Sequence, residues 1–233
     1  MHLFHIPDLS GPTVALPEEE AHHAVHVLRL GVGARVGLLD GRGTRAEATL
    51  LSVGRHEVVA TIVERHTHPL ERKALIHLAV APTKQADRYE WFVEKAVEIG
   101  IDRITPLLTA RTERAKLRTD RLERVAISAM KQSQRTWLPT IDQPTTLKEL
   151  LAAPLPEQRM FGWCEGTHAP LMSAYAPDQD TLMVIGPEGD LSAEEAEHLR
   201  HGGFAAVSLG AARLRTETAA LAACTWMSLA QQR

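Results

Sequence analysis

Two glycine-containing loops carry the residues with the clearest capacity for ligand chemistry. The first reads Ile185-Gly186-Pro187-Glu188-Gly189-Asp190, and the second reads Ser208-Leu209-Gly210-Ala211. Glycine has no Cβ, so the backbone at such positions can approach a ligand closely or adopt a positive φ. Glycine after a strand is also ordinary turn chemistry. The meaning of the two loops therefore depends on the elements that flank them.

Each loop follows a short apolar run that predicts a buried strand. Residues 181–185 are continuously apolar and β-branched at several positions, which is typical of a parallel strand, and residues 205–209 form the next such run. Between them, Ser192 and Glu195 predict a capping box that begins a helix over residues 193–200. Ligands of open α/β sheets bind at the carboxyl ends of strands, so both loops are predicted to lie on a functional edge.

Strands and helices alternate through the rest of residues 71–233. Residues 74–81 and 104–108 predict strands on either side of a helix that ends at Gly100. Residues 160–164 predict a further strand, and Gly162 and Gly166 at its end supply a third loop for the pocket. We therefore predict an α/β fold with a parallel sheet. His77, in the middle of a strand, is predicted to be a hydrogen-bonded core histidine rather than a catalytic one.

A third segment makes the pattern specific. Leu214-Arg215-Thr216-Glu217-Thr218-Ala219 brings a cation, an anion and two hydroxyls to the start of a helix. Together with IGPEG at 185–189, LG at 209–210 and QSQR at 132–135, it resembles the RsmE family of ribosomal RNA methyltransferases, which belong to the SPOUT class. The resemblance covers almost the whole chain. This sequence departs from the family in having Asp190 and Leu191 where a second Gly and a Phe are usual, and Arg213 near the position of a usual Ile.

The resemblance implies S-adenosyl-L-methionine-dependent methylation of N3 of a specific uridine in small-subunit (16S) ribosomal RNA. Arg215 is the candidate for stabilising the uridine anion or orienting the base, and Glu217 is the candidate for fixing Arg215 or a loop amide. Structural readings stay open for both residues, because Glu217 can complement a helix dipole and Arg215 can hold the chain end in place. No metal is expected. The residues expected to bind the cofactor are Gly162, Ile185, Gly186, Pro187, Glu188, Gly189, Leu209, Gly210 and Leu214.

Residues 1–70 predict a separate domain. Pro17 and three glutamates begin a helix well, and the runs at 34–39, 45–53 and 57–64 have the spacing of a small antiparallel barrel or meander. The segment 66–72, which contains Pro69, is the predicted linker. The resemblance implies a PUA-like RNA-binding domain before it and a methyltransferase domain over 71–233. His22 and His26 lie four residues apart, but no further ligand completes a metal site at suitable spacing.

Residues 111–135 form a basic stretch with eight Lys or Arg and three acids. A helix over 120–135 is predicted to bury Leu122, Ala126 and Met130, with a cationic stripe facing outward. Such a stripe is often only a solvated face, but the neighbouring glutamines favour contact with RNA. The predicted RNA-binding residues are Arg111, Arg114, Arg121, Arg124, Lys131, Gln132 and Arg135.

Composition limits the partners. The net charge is −3, so RNA must be bound by a local patch rather than by the whole surface. Cys164 and Cys224 cannot build a disulfide framework and are predicted to be small buried residues. No apolar run reaches the length of a membrane span, so we expect a cytoplasmic protein without a membrane partner.

The last predicted helix, residues 216–232, is apolar around much of its circumference. It must be buried on more than one side, either as a core helix or against a second subunit. The resemblance implies a homodimer with the active site at the interface and a trefoil knot at this end of the chain.

Two alternative functions use the same features. A non-catalytic RNA-binding ribosome-assembly factor would need the basic stretch but not three convergent glycine loops. A nucleotide- or phosphate-binding enzyme would use such loops, but neither of the two common phosphate-binding glycine motifs is present.

Overall fold

A computed structural model describes residues 1–54, 57–70, 72–113 and 117–232, which form two compact units. The first unit comprises Met1–Glu71 and Ile127–Leu138, and the second comprises Arg72–Ala126 and Pro139–Arg233. The grouping of Ile127–Leu138 with the first unit was not anticipated from the sequence. Its physical basis is backbone pairing, because Gly43 N donates to Thr136 O (2.9 Å) and Leu138 N donates to Gly41 O (3.0 Å).

The first unit contains a five-stranded sheet beside a short helix. Its strands lie in the order β1-β3-β4-β5-β2, with β1 and β3 parallel and the other neighbours antiparallel. The apolar residues of the strands form one core with those of the helix. The elements are β1 (Leu3–His5), β2 (Thr13–Ala15), α1 (Glu18–His22) with a π-helical continuation (His23–Val27), β3 (Arg35–Leu39), β4 (Thr44–Val53) and β5 (Val58–Thr67).

The predicted linker begins too early. His66 and Thr67 belong to β5, where they pair with Arg45 and Thr44 of β4. Because β4 is ten residues long, its partner strand continues past the end of the apolar run that marked it in the sequence. The predicted turn residues Arg55 and His56 lie outside the described residues.

The second unit is an eight-stranded sheet with helices. The strand order is β11-β13-β10-β12-β6-β7-β8, with β9 beside β7. Its strand pairs in the described chain are parallel, which confirms the predicted α/β class. The elements are β6 (Ile76–Val80), α2 (Ala86–Ile99), β7 (Arg103–Leu108), α3 (Thr119–Ser133), β8 (Thr140–Ile141), β9 (Thr145–Thr146), α4 (Leu147–Ala152), β10 (Gln158–Gly162), β11 (Ala169–Pro170), α5 (Leu171–Ala174), β12 (Thr181–Ile185), α6 (Ala193–His201), β13 (Ala205–Ser208) and α7 (Thr216–Ala230). Helix α3 is shared, because its residues from Ile127 onward group with the first unit.

Helices α2 and α6 follow the local signals in the sequence. Helix α2 buries the predicted apolar face and ends at Gly100, whose left-handed conformation (φ 96°) lets its N–H bond to Ala96 O. Helix α6 begins at the predicted capping box, because Ser192 Oγ accepts from Glu195 N and the Glu195 carboxylate accepts from Ser192 N. The strands on either side are therefore held at the predicted positions.

Helix α7 is buried on one side. It packs on α2, β6 and β12, and Ala220, Ala223 and Cys224 are fully buried there. Leu229 on the same helix is 54% exposed. Part of the apolar circumference predicted for this helix is therefore not covered within one chain. Across the part of the chain that the structure describes, no helix is long and apolar enough to cross a membrane.

His77 is hydrogen-bonded, as predicted, but its side chain is 14% exposed rather than fully in the core. Its Nε2 lies 2.7 Å from Thr105 Oγ1, and Thr105 donates in turn to Asp142. Burial, followed by the nearby charge of Arg103, lowers the pKa of His77 to about 4. The imidazole is therefore neutral at physiological pH.

Candidate functional site

A cleft of about 680 Å³ opens at the carboxyl ends of β10, β12 and β13 in the second unit. Strand β10 lies between the other two in the sheet, so the loops that leave these three strands are neighbours. The structure therefore brings together segments far apart in sequence, as the strand-end rule predicts. All nine residues predicted to bind the cofactor line the cleft: Gly162, Ile185, Gly186, Pro187, Glu188, Gly189, Leu209, Gly210 and Leu214.

The first loop reverses direction at Asp190. Its φ is 62°, its N–H donates to Pro187 O (2.9 Å), and its carboxylate accepts from Leu191 N (2.8 Å). This left-handed conformation favours glycine, but aspartate tolerates it because a short polar side chain can bond to the local backbone. Asp190 therefore adopts a conformation typical of glycine and adds a carboxylate to the cleft wall.

Gly186 and Gly210 are glycine for different reasons. A Cβ added at Gly186 would lie 3.1 Å from Leu191, so the missing side chain makes room for a buried leucine. An added Cβ at Gly210 would meet no atom within 4 Å, but the φ of 121° is one that residues with a side chain rarely adopt. The backbone conformation therefore favours glycine at this position. Both glycines serve the loop backbones that line the cleft.

Cys164 is exposed, so the prediction of a buried residue is wrong for this cysteine. It lies two residues beyond the end of β10, where the chain has turned out of the sheet into the cleft wall. Partial desolvation of the sulfur, followed by the charge of the neighbouring Asp190 carboxylate, raises the pKa of the Cys164 thiol. The side chain is therefore a neutral thiol at physiological pH.

Arg111 lies in the cleft wall, although the sequence suggested an RNA contact. Its Nη1 donates to the backbone oxygens of Gly189 (2.6 Å) and Leu191 (3.2 Å). The sequence carries no signal for these bonds, because 78 residues separate the donor from the nearer acceptor.

The start of α7 is tied to the first loop. Thr216 lines the cleft and its Oγ1 donates to Gly186 O (3.1 Å). Glu217 is 8% exposed, and its Oε1 lies 4.0 Å from Arg88 Nε of α2. Its other oxygen is buried without a hydrogen-bond partner among the described residues.

The two predicted catalytic residues do not contact each other. Arg215 is exposed, and Glu217 has Arg88 rather than Arg215 beside it. Arg88 also lies 3.9 Å from Glu188, which belongs to the cleft. Neither Arg215 nor Glu217 lines the cleft of a single chain.

Several predicted RNA-binding cations already have acidic neighbours. In the second unit, Arg121 is 2.6 Å from Glu90, and Arg124 is 2.9 Å from Asp120. Both arginine side chains remain at least half exposed. Sequence counting missed Glu90 because it lies on another helix, so the predicted cationic stripe is partly neutralised. Arg114 lies outside the described residues.

Lys131 does not belong to an exposed stripe, which corrects that part of the prediction. Within the first unit its Nζ lies 2.6 Å from Glu20 Oε1, and the two side chains are 19% and 10% exposed. Glu20 also accepts from His5 N (3.1 Å). Gln132 is exposed, whereas Arg135 is half-buried and has interactions of its own.

The two paired histidines of the first unit contact each other with their rings tilted by 42°. The rings of His22 and His26 have centroids 4.7 Å apart. Within the ranges that the structure describes, no group of three or more His, Cys, Asp or Glu side chains could hold a metal ion.

Comparison with known proteins shows the family to which this chain belongs. A family model described as an RNA methyltransferase domain matches residues 70–228, and one described as an RNA methyltransferase PUA domain matches residues 16–63. Ribosomal RNA small subunit methyltransferase E of Synechocystis is 30% identical, with 89% of this chain and 70% of that protein covered. The chain therefore belongs to the ribosomal RNA small subunit methyltransferase E family. The PUA-like domain predicted at the amino end is confirmed.

Further similar proteins match this chain over most of their length. The Bacillus subtilis protein is 28% identical over 93% of this chain and 90% of its own. The solved structure of a probable rRNA methyltransferase from Porphyromonas gingivalis has a TM-score of 0.91, 38% identity, and coverage of 100% of this chain and 99% of that one. The structure of methyltransferase E from Neisseria gonorrhoeae bound to S-adenosyl methionine has a TM-score of 0.89, 29% identity, and coverage of 99% and 98%.

Proposed function

We propose that this protein transfers a methyl group from S-adenosyl-L-methionine to N3 of a specific uridine in small-subunit (16S) ribosomal RNA. The observation that carries the proposal is the cleft at the ends of β10, β12 and β13, to which all nine predicted cofactor residues contribute. Family membership adds the reaction type, and the Neisseria gonorrhoeae relative is a structure with this cofactor bound.

The residues of the cleft fit the cofactor. Its volume of about 680 Å³ lies within the range of small-molecule sites. Ile185, Leu209 and Leu214 offer apolar surface for an adenine ring, and the glycine backbone at 186 and 210 leaves room at its edges. When bound there, the cofactor supplies a methyl group on a positively charged sulfur.

The protein's own task is to orient the base and stabilise its charge. Loss of the N3 proton leaves a lone pair that forms the new N–C bond, while the electrons of the broken C–S bond return to sulfur. We assign to Arg215 the stabilisation of the developing negative charge, and its exposed side chain, which lies outside the cleft of a single chain, supports contact with RNA. Glu217, through Arg88, helps to fix the start of α7 from which Arg215 extends.

RNA binding is assigned to each unit separately. The proposed domains are residues 1–70 and residues 71–233. The first of them, the PUA-like domain, binds ribosomal RNA or the small ribosomal subunit. Arg121 and Arg124 of the second unit have exposed side chains suited to phosphate contact, and Gln132 and Arg135 supply planar donors. Lys131 is not assigned to RNA, because its ammonium group pairs with the Glu20 carboxylate within the first unit.

The working form that we propose is a cytoplasmic homodimer of the SPOUT class with a carboxyl-terminal trefoil knot. Support comes from exposed apolar side chains on the packed helices α2 and α7, where Trp91 is 42% and Leu229 is 54% exposed. A second copy covering these helices would bury apolar surface that a single chain leaves exposed.

Calorimetry with S-adenosyl-L-methionine and with ATP tests the proposal. We expect saturable binding of S-adenosyl-L-methionine and none of ATP. Binding of ATP alone would favour a nucleotide-binding enzyme. RNA binding without either small molecule would favour the assembly-factor alternative.

A further inference from the structure

We propose that Arg111 is a positioning residue for the cofactor loop, and that it acts by holding the backbone around Asp190 rather than by binding an RNA phosphate. The inference rests on the proposed function, since the loop is assigned to the cofactor there. It replaces the RNA contact that the basic stretch suggested for this arginine.

The contacts of Arg111 are directed at one short stretch of backbone. Its Nη1 donates to Gly189 O at 2.6 Å and to Leu191 O at 3.2 Å, so one cation bridges the carbonyls on either side of Asp190. Its alkyl chain lies against Gly189, where an added Cβ would be 3.4 Å from Arg111 Cδ. The side chain thus supports the loop by hydrogen bonds and by packing.

The loop needs such support because of its conformation. Asp190 has a φ of 62°, a backbone conformation that is unfavourable for residues with a Cβ. The reversal turns the carbonyls of Gly189 and Leu191 toward the same donor. A charged donor bonds more strongly to a carbonyl than a neutral one does, so Arg111 favours this conformation over an open loop.

Arg111 is itself held by a preorganised turn. Thr112 N donates to Thr109 O (3.0 Å), and Thr109 N donates to Thr112 Oγ1 (2.8 Å). Within the same turn, Ala110 N donates to the carboxylate of Glu195 (2.7 Å), the residue that also caps α6. The turn is therefore anchored to the element that follows the cofactor loop, and it presents Arg111 to that loop at a fixed place.

The test compares Arg111→Met with Arg111→Lys and with Arg118→Met. Methionine keeps the alkyl packing but removes the donors, whereas lysine restores a charged donor. Arg118→Met removes the same charge from an exposed arginine that pairs with Asp120, and so serves as the matched control. Three quantities are measured on the full chain: S-adenosyl-L-methionine affinity by calorimetry, amide hydrogen exchange at Asp190 and Leu191, and the salt dependence of RNA affinity.

We expect Arg111→Met to weaken S-adenosyl-L-methionine binding by about tenfold and to accelerate exchange at both amides, because the loop loses its bridge. Arg111→Lys should recover part of the affinity, and Arg118→Met should keep all of it. The log-log salt slope of RNA binding should be unchanged by Arg111→Met.

Two results would overturn the inference. One is wild-type cofactor affinity in Arg111→Met, whether or not amide exchange changes. The other is a salt slope flattened by about one unit in that variant, which is the signature of a lost phosphate contact. A wild-type protein that fails to bind S-adenosyl-L-methionine would instead refute the proposed function.

Discussion

Asp190 shows how a single residue can keep a backbone conformation that usually belongs to glycine. Its φ of 62° suits glycine without strain, and aspartate compensates by accepting from Leu191 N. We expect Asp190→Gly to keep S-adenosyl-L-methionine affinity within about threefold. Asp190→Val should weaken it by about fivefold or more, because a β-branched residue at this φ costs about 1–2 kcal/mol or more. Calorimetry measures the S-adenosyl-L-methionine affinity of both variants. Equal affinities would mean that the loop conformation at residue 190 does not affect cofactor binding.

His77 makes stability depend on pH in a defined window. Its pKa is about 4 in the folded chain and about 6.5 when unfolded, so between these values the unfolded state binds more protons. Its contribution to stability is present above pH 6.5 and is lost as pH falls toward 4. From pH 7 to pH 5 the loss is about 2 kcal/mol. Urea denaturation of the wild type and His77→Gln at both pH values measures it; a wild-type loss no larger than that of the variant would contradict the account.

At the residue scale, the sequence predicted which residues meet in the cleft but not all that each one does. Gly162, Gly186 and Gly210 gather because they lie at or just beyond the carboxyl ends of neighbouring parallel strands, and that rule requires no knowledge of side chains. The bridge from Arg111 to Gly189 depends on where two distant loops come to rest. Charge counting along the chain could not distinguish this arginine from an exposed one.

At the scale of elements, local sequence signals predict where helices begin, but they do not predict which cations on a helix face lack an acidic partner. Ser192 caps α6 as predicted, and Thr146 caps α4 in the same way, since a capping box is complete within four residues. The cationic stripe predicted on α3 is partly neutralised, because Glu90 and Glu20 on other helices pair with two of its cations. The acids that decide whether a cation is available are set by packing between elements.

Lys131 provides a test at this scale. Its partner Glu20 is 10% exposed, so Lys131→Met leaves a buried carboxylate without a cation and should lower the free energy of unfolding by about 3 kcal/mol. Arg124→Met, which breaks an exposed pair with Asp120, should change it by less than about 1 kcal/mol. Urea denaturation followed by tryptophan fluorescence compares them. Adding Glu20→Gln to Lys131→Met should restore most of the loss; no rescue would show that the pair is not the cause.

At the scale of the whole molecule, helix α7 poses the question of assembly. Its buried side packs on α2, β6 and β12, while Leu229 remains 54% exposed. We expect light scattering to give about twice the chain mass of 25.7 kDa, and Leu229→Glu to shift it toward the monomer, since a charge would be buried between subunits. Val63→Glu, at an exposed apolar position of the first unit, is the matched control. A monomeric wild type with full activity would reject the dimer.

The central claim is methyl transfer to uridine N3, and the most direct measurement follows the methyl group itself. The protein is incubated with S-adenosyl-L-methionine carrying an isotope-labelled methyl group and with small ribosomal subunits or their RNA, and the RNA is digested to nucleosides for mass spectrometry. The account predicts label in 3-methyluridine, and its loss when Gly210→Val distorts a cleft loop whose φ of 121° excludes a β-branched residue. Label confined to another nucleoside, or no label in RNA under conditions where the cofactor binds, would contradict it.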